Sequence, residues 1–462
     1  MMNRAFFLFA TLIPWMAHAE LRGGAATTKI TPPLGIPLAG YYHRRGSESI
    51  HDDLYARAMV LEQEGVKVAM VALDLISTRR GFVEEARVEI EKRTGIPAHH
   101  VMISATHAHS GPVLSGSKLY DEQGGQEPPA LAFTRDLPSK IAESVALANT
   151  QMTSVELLGA VGHEESIAFH RRFHMKDGTV GWNPGKLNPN ILKPVGPIDP
   201  QVPVVYLRAL EERRPIAVYV NHAVHLDNVG GPRISADLPF TLTENLKAAV
   251  GKDLVTLYTS GACGDLNHVD VTWKEPQKGP ENAARMGTIL AGEVLRTWRH
   301  LQPIEGILQM KSRMVSLELP KVSEDAVEKA KLLLGSSARD NTRASFMPLV
   351  FAHKVLDVAH REGKPFEVEV QVITLGNALA WVALPGEIFV ELGLELKTSS
   401  PFGQTMVVEL ANGSIGYVPT RRAYRQGAYE VVSARVAEGS GEKLVHAALD
   451  LLAEAFAVAR PK

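Results

Sequence analysis

Short apolar runs that break off into histidine-, glycine- or glutamate-bearing loops constrain this chain more than any other feature. Residues 66–74 are apolar apart from Lys67 and end in Asp74, the pattern of a buried strand. Residues 101–104 form a second run, which delivers the chain into Thr106-His107-Ala108-His109. Residues 216–220 lead into Asn221-His222-Ala223-Val224-His225, and residues 254–259 into Ser260-Gly261-Ala262-Cys263-Gly264-Asp265. Residues 368–375 and 379–384 flank Gly376-Asn377 as a hairpin would, and the second run ends in Pro385-Gly386-Glu387. Helical spacing fills several intervals between these runs, at 81–93, 237–250, 282–301, 324–334 and 443–460. Strands alternating with helices indicate an α/β fold. The stretch 176–200, dense in Gly, Pro and Asn, reads as a long surface loop near a site. No repeat or linker divides the chain, so residues 20–462 are expected to form one large unit.

Residues 1–19 carry the marks of a cleaved secretory signal: Arg4, a short apolar run, then Ala17-His18-Ala19 before Glu20. The run is too short to span a bilayer, so no transmembrane segment is expected and the mature chain is expected to be secreted or periplasmic. Cys263 is the single cysteine, which excludes an internal disulfide. A formal net charge of −2 offers no electrostatic case for nucleic acid as a partner.

The loops carry the chemistry. His107 and His109, two apart on extended chain, would project to one side, one as a metal ligand and the other as a proton carrier. The plainer alternative is a solvent-facing pair at a strand end. The second cluster, His222 and His225, also follows an apolar strand, where ligand sites gather in open α/β sheets. His225 is equally readable as a hydrogen-bonded core residue. Glu387 would add an oxygen ligand to two histidines, a set suited to zinc with an open position, or would simply sit in the first turn of a helix. Backbone N–H groups of the turn before Asp265, Leu266, Asn267 and His268 would face an oxyanion, or the turn would be a plain glycine turn.

The segment Ser104-Ala105-Thr106-His107-Ala108-His109-Ser110-Gly111-Pro112 resembles the S-x-T-H-T-H-S-G-P motif of the neutral (non-lysosomal) ceramidases. The later order agrees: a histidine after a strand, the Gly264-Asp265 turn, a hairpin with Pro385-Gly386-Glu387, and a Tyr-rich segment from Asn412 to Tyr429. The resemblance runs from about Thr28 to the end of the chain. It implies a large α/β unit of mixed β-sheets flanked by helices, and hydrolysis of the amide bond of ceramide or a related N-acyl lipid. It also implies a zinc ion held by His107, His222, Glu387 and Tyr417, with His109 moving the proton and Arg171 facing the substrate. Two departures stand out. The family's serine in the Gly-Asp turn is Asn267 here, which leaves Asn267, with Asp265 beside it, to act on an oxyanion rather than as a nucleophile. The chain also stops where the family continues into a C-terminal β-sandwich. Other amides or esters, or a zinc-bearing binding protein without catalysis, therefore stay open as readings.

Overall fold

A computed structural model describes residues 20–116, 118–340 and 346–459. The signal sequence inferred for residues 1–19 lies outside them. Their largest element is a nine-stranded sheet in two halves. One half orders Arg22–Lys29, Tyr55–Gln63, Val66–Leu73 and Val101–Ala105; the other orders Thr153–His163, Gln201–Ala209, Pro215–His222 and Val255–Ser260, with Gln302–Ile304 alongside. Among the described residues the halves are joined by two ladder pairs, Arg22 with Ser154 and Gly23 with Thr153. So slight a joint lets the sheet fold back until its two far edges meet, and Ser260 Oγ donates to Thr106 O at 3.0 Å. A four-stranded sheet of Leu308–Leu317, Phe366–Leu375, Leu379–Ala383 and Gln404–Val408 covers the inner faces.

Side-chain alternation in these strands creates separate cores on their two faces. Met59, Met70, Tyr219 and Leu257 point inward and meet Trp381 and Met406 of the four-stranded sheet. On the outer face of the first half, Val60, Val71 and Ile103 pack under helices Arg80–Thr94 and Pro128–Thr150. On the outer face of the other half, Val204, Val218 and Val220 pack under Leu238–Val250 and Pro280–Thr297. Helices Val390–Ser399 and Ser440–Ala459 close the far side of the four-stranded sheet. Among the described residues no helix is long and apolar enough to cross a membrane.

The strands read from sequence are present with shifts of one or two residues, and the pair flanking Gly376-Asn377 is antiparallel, as a hairpin requires. The 176–200 stretch is more ordered than a surface loop, because Arg172–Met175 pairs with both Val180–Trp182 and Ile191–Pro194. Two of the longer helices were not legible. Pro128–Thr150 is 23 residues long and carries Pro138 in its interior, where proline ordinarily interrupts a helix. Phe346–His360 lies, with Glu324–Asp340, in an insertion between two adjacent antiparallel strands.

Buried polar groups tie this scaffold together and make its stability pH-dependent. His268, 1% exposed, has its pKa pushed down to about 4, chiefly by burial, with Asp227 partly opposing. A histidine whose folded pKa lies below its ordinary 6.5 stays neutral while the unfolded chain takes up a proton. His268 therefore lowers stability as pH falls from about 6.5 towards about 4. Urea-unfolding midpoints across that window should show a flatter profile for His268→Asn than for the wild type.

Candidate active site

Three parallel strand pairs point their C-terminal ends at one place: Val66–Leu73 with Val101–Ala105, Pro215–His222 with Val255–Ser260, and Leu379–Ala383 with Gln404–Val408. The chain following the Gln404–Val408 strand ties them, since Glu409 N donates to Ser260 O at 3.1 Å and Ala105 N to Leu410 O at 3.2 Å. His107, His225 and Glu387 each stand on a loop that leaves one of these ends. Glu387 and Tyr417 are direct partners in a short parallel bridge, which sets both side chains on one face.

The three imidazoles are held in the same way. His107 Nδ1 lies 2.9 Å from Ile76 O, His109 Nδ1 3.0 Å from Gly40 O, and His225 Nδ1 2.8 Å from Cys263 O. A carbonyl only accepts, so each Nδ1 carries the proton and each Nε2 presents a lone pair. Those lone pairs converge. The ligand atoms of His107, His109 and His225 all lie within 4.8 Å of one another. His107 Nε2 is 3.3 Å from His109 Nε2, while Glu387 Oε2 is 3.5 Å from His107 Nε2 and 3.3 Å from His225 Nε2. His225 Nε2 and Glu387 Oε2 are buried without a well-formed hydrogen bond among the described residues. Acceptors turned toward one buried point repel unless a cation lies between them, so this donor set fits a metal such as zinc.

The electrostatics tie these groups together, and Glu387 holds the pKa of His107 up against its burial. Burial holds His225 well below its ordinary pKa, with Arg171 and His107 adding to the effect. Burial also brings His109 down to about 4 against the opposing charge of Asp227, which leaves it neutral and able to accept a proton. Burial opposes the charge on Glu387, but His107 and His225 hold its carboxyl well below the usual range. His107 itself adopts a left-handed φ of 69°, a strained conformation of the kind that collects at functional sites. The two histidines thus meet through a turn and not through strand alternation, with ring centroids 4.8 Å apart.

His222, expected among the ligands, is elsewhere. Its Nδ1 lies 3.2 Å from Gln201 O, and Asp199, Glu164 and Lys397 supply the charges that act on it. The reason is strand parity. His222 is the last residue of Pro215–His222 and shares a face with Val218 and Val220, which pack outward beneath the helices. Three residues further on, His225 has left the strand and turned into the center.

The other expected residues divide. Arg171 reaches the site, with its guanidinium 5.3 Å over the Tyr417 ring, Nε donating to Glu430 Oε1 at 2.8 Å and one terminal nitrogen to Gly264 O at 2.6 Å. Asn267 lines the cavity, its Nδ2 donating to Asn183 Oδ1 at 2.9 Å and its Oδ1 accepting from Val269 N at 2.9 Å. Asp265 serves the scaffold: Oδ1 accepts from Val390 N at 2.8 Å at the head of a helix, and Oδ2 lies 3.3 Å from His170 Nε2. The turn's backbone is also engaged, since Gly264 N donates to Ile388 O and Cys263 N to Glu409 Oε2. Glu409, not singled out from sequence, takes Cys263 N at 3.1 Å and Ile388 N at 2.9 Å on one oxygen, so it clamps the turn to the Glu387 strand. A charged residue closing the apolar strand Gln404–Val408 was its only sequence signal.

The center opens on two cavities, of about 870 Å³ and 500 Å³, which share Tyr41, Tyr42, His109, Tyr417 and Tyr429. His107 and Glu387 face the larger, and Arg171, His225 and Asn267 face the smaller.

Two solved structures that share this architecture are ceramidases. The crystal structure of neutral ceramidase from Pseudomonas aeruginosa matches with a TM-score of 0.73 and 17% sequence identity, over 94% of this chain and 75% of that one. A structure described as a ceramidase complexed with C2 matches with a TM-score of 0.72 and 18% identity, over 96% of this chain and 76% of that one. No family model and no curated protein matches the sequence. At such identities the likeness establishes the fold: a mixed α/β unit of the neutral ceramidase kind.

Proposed function

We propose that this chain is an exported, zinc-dependent amidohydrolase that cleaves the amide bond of an N-acyl lipid of the ceramide kind. The observation that carries the reading is the convergence of three imidazole Nε2 atoms and one carboxylate oxygen at a buried point beside two cavities. The ceramidase fold of the solved neighbours supports it. His107, His225, Glu387 and Tyr417 would hold the ion. When bound, zinc supplies Lewis acidity that polarises a carbonyl and makes water a stronger acid.

The remaining steps belong to side chains. His109, neutral and with Nε2 facing the center, takes a proton from the attacking water and passes it to the leaving amine. Asp227 Oδ1, 3.9 Å from His109 Nδ1, stabilises the imidazolium formed in between. Asn267 and the Arg171 cation lie on the carbonyl side, where negative charge develops. Asn267 has no acylable hydroxyl, so water attacks directly and no acyl-enzyme forms at that position.

The test is fatty-acid release from a medium-chain N-acyl amide by the purified mature protein. Release should stop on chelation and return with zinc. His109→Gln should lower kcat by about 10²- to 10⁴-fold while bound zinc stays stoichiometric. Turnover that survives complete removal of zinc would overturn the reading.

A further inference from the structure

Residues 171 and 172 are consecutive arginines, yet Arg171 lines the smaller cavity and Arg172 lines neither. Arg172 is fully buried and holds a different target. One of its terminal nitrogens donates to Glu430 Oε2 and to Gly427 O, both at 3.0 Å, and the other donates to Gln426 Oε1 at 3.3 Å. Glu430, also fully buried, gives its second oxygen to Arg171 Nε at 2.8 Å. One carboxylate is thus shared by two guanidiniums, one at the site and one behind it.

The segment that Arg172 grips is strained. Gly427 has φ 68° and ψ −140°, and Ala428 follows with φ 73° and ψ 179°, a region that residues with a Cβ avoid. The helix that starts next, Tyr429–Ser433, is five residues long and has no side-chain cap at its head, so it is too short to hold its own shape. Tyr429, its first residue, borders both cavities. The Tyr429 ring stacks on Trp182 at 4.3 Å and meets the Tyr417 ring edge-on at 5.5 Å. Phe346, from the helix Phe346–His360, stacks on Trp182 at 5.6 Å and completes an aromatic wall that runs to Tyr417.

We propose that Arg172, acting through Glu430 and the turn at Gly427-Ala428, is a positioning residue that sets Tyr429 and the Arg171 guanidinium at the center. The inference deepens the hydrolase reading and rests on it for its kinetic consequences. A guanidinium suits this task, because its planar fork reaches three acceptors at fixed relative positions, where an ammonium is a point charge on a flexible stem. Without that grip the turn relaxes towards ordinary φ and Tyr429 moves off Trp182. Glu430 then no longer fixes Arg171 Nε. A displacement of about 1 Å at groups that orient a substrate costs about 10²-fold in rate.

Arg172→Lys keeps the charge and loses the fork. On the zinc-loaded protein, with a medium-chain N-acyl amide, it should lower kcat by about 10- to 100-fold while bound zinc stays stoichiometric. Ala428→Gly alone should raise the thermal midpoint by about 1–3 °C, because glycine adopts that φ and ψ without strain. Combined with Arg172→Lys it should bring kcat back to within about threefold of the wild type, since a relaxed turn no longer pulls against the weakened grip. A role confined to core packing predicts otherwise: Ala428→Gly would raise both midpoints alike and leave the kcat loss in place. Trp182 emission, taken as the difference from the Trp182→Phe counterpart of each protein, follows the Tyr429 ring without any substrate. It should shift in Arg172→Lys and return in the double variant. Wild-type kcat in Arg172→Lys, or a loss that Ala428→Gly leaves untouched, would overturn the proposal. Should Arg172→Lys fail to fold, Glu430→Gln, which keeps the shape and one acceptor oxygen, takes its place with the same expectations. If no amide is hydrolysed, the hydrolase reading fails by itself and the emission decides. A shift reversed by Ala428→Gly then sustains the positioning role, and an unchanged spectrum removes it.

Discussion

His225→Ala should strip the protein of zinc, whereas His222→Ala should keep one ion per chain. Both histidines are buried, both follow the same strand, and both have an Nε2 without a hydrogen-bond partner among the described residues, so composition and burial do not separate them. Geometry does: His225 Nε2 faces Glu387 Oε2 at 3.3 Å, with the His107 ring centroid 4.3 Å from its own. His222 lines neither cavity and answers to Asp199 and Lys397 instead. Structural zinc sites are worth about 10–16 kcal/mol over four ligands, so removing one ligand should weaken binding by two to three orders of magnitude. Hydrolysis should fall at least in proportion. His222→Ala should cost about 2 kcal/mol of stability from the cavity it leaves, with metal content intact. Elemental analysis of both variants after dialysis is the measurement. Zinc retained by His225→Ala and lost by His222→Ala would reverse the assignment.

Gly264→Ala should be the most damaging single methyl group in the site. A Cβ there would stand 2.4 Å from Glu387 O, 2.8 Å from Glu387 C and 3.0 Å from Ile388 C. All three are backbone atoms, so no rotamer change relieves the clash, and the strand carrying Glu387 has to move. Overpacking of this kind costs about 1–3 kcal/mol, and displacement of the ligand strand should lower zinc affinity by about 10- to 100-fold. Gly292→Ala is the matched control, because it lies inside helix Pro280–Thr297 with nothing within 4 Å of the added methyl. Replacing a mid-helix glycine there should raise stability by about 0.5–1 kcal/mol. Thermal midpoints of the two variants should move in opposite directions, and zinc content should fall in Gly264→Ala alone. A Gly264→Ala protein as stable and as fully loaded as the wild type would show that the strand yields without cost.

The uneven legibility of this protein has particular causes. Residues 66–74 and 101–104 were readable as strands because both their faces are buried, which leaves a continuous apolar run. Leu308–Leu317 was not, because one of its faces is open and Lys311 and Arg313 break the pattern. Glu387 and the His107–His109 pair stood out because ionisable groups at the ends of apolar runs are conspicuous. Tyr417 was reached through resemblance alone, since a tyrosine between Gly416 and Val418 has no local signature. Asp265 had the right neighbours for catalysis, but its oxygens are spent on Val390 N and His170.

Sequence by itself determined several of the buried strands, that they end in histidines and carboxylates of the kind that could hold a metal, and that the whole is an α/β unit, because apolar periodicity and residue chemistry are local properties. The resemblance, not a local pattern, pointed to Arg171 and to Asn267 at the family's serine position, and both line the smaller cavity. Only the tertiary structure decided between His222 and His225, withdrew the turn N–H groups of Cys263 and Gly264 from the site, and brought Glu409 and the Phe346–His360 helix to it. Those decisions depend on strand parity at a sheet end and on a sheet that folds until its far edges touch. Both are set by pairings between residues far apart in the chain, and no local pattern records them.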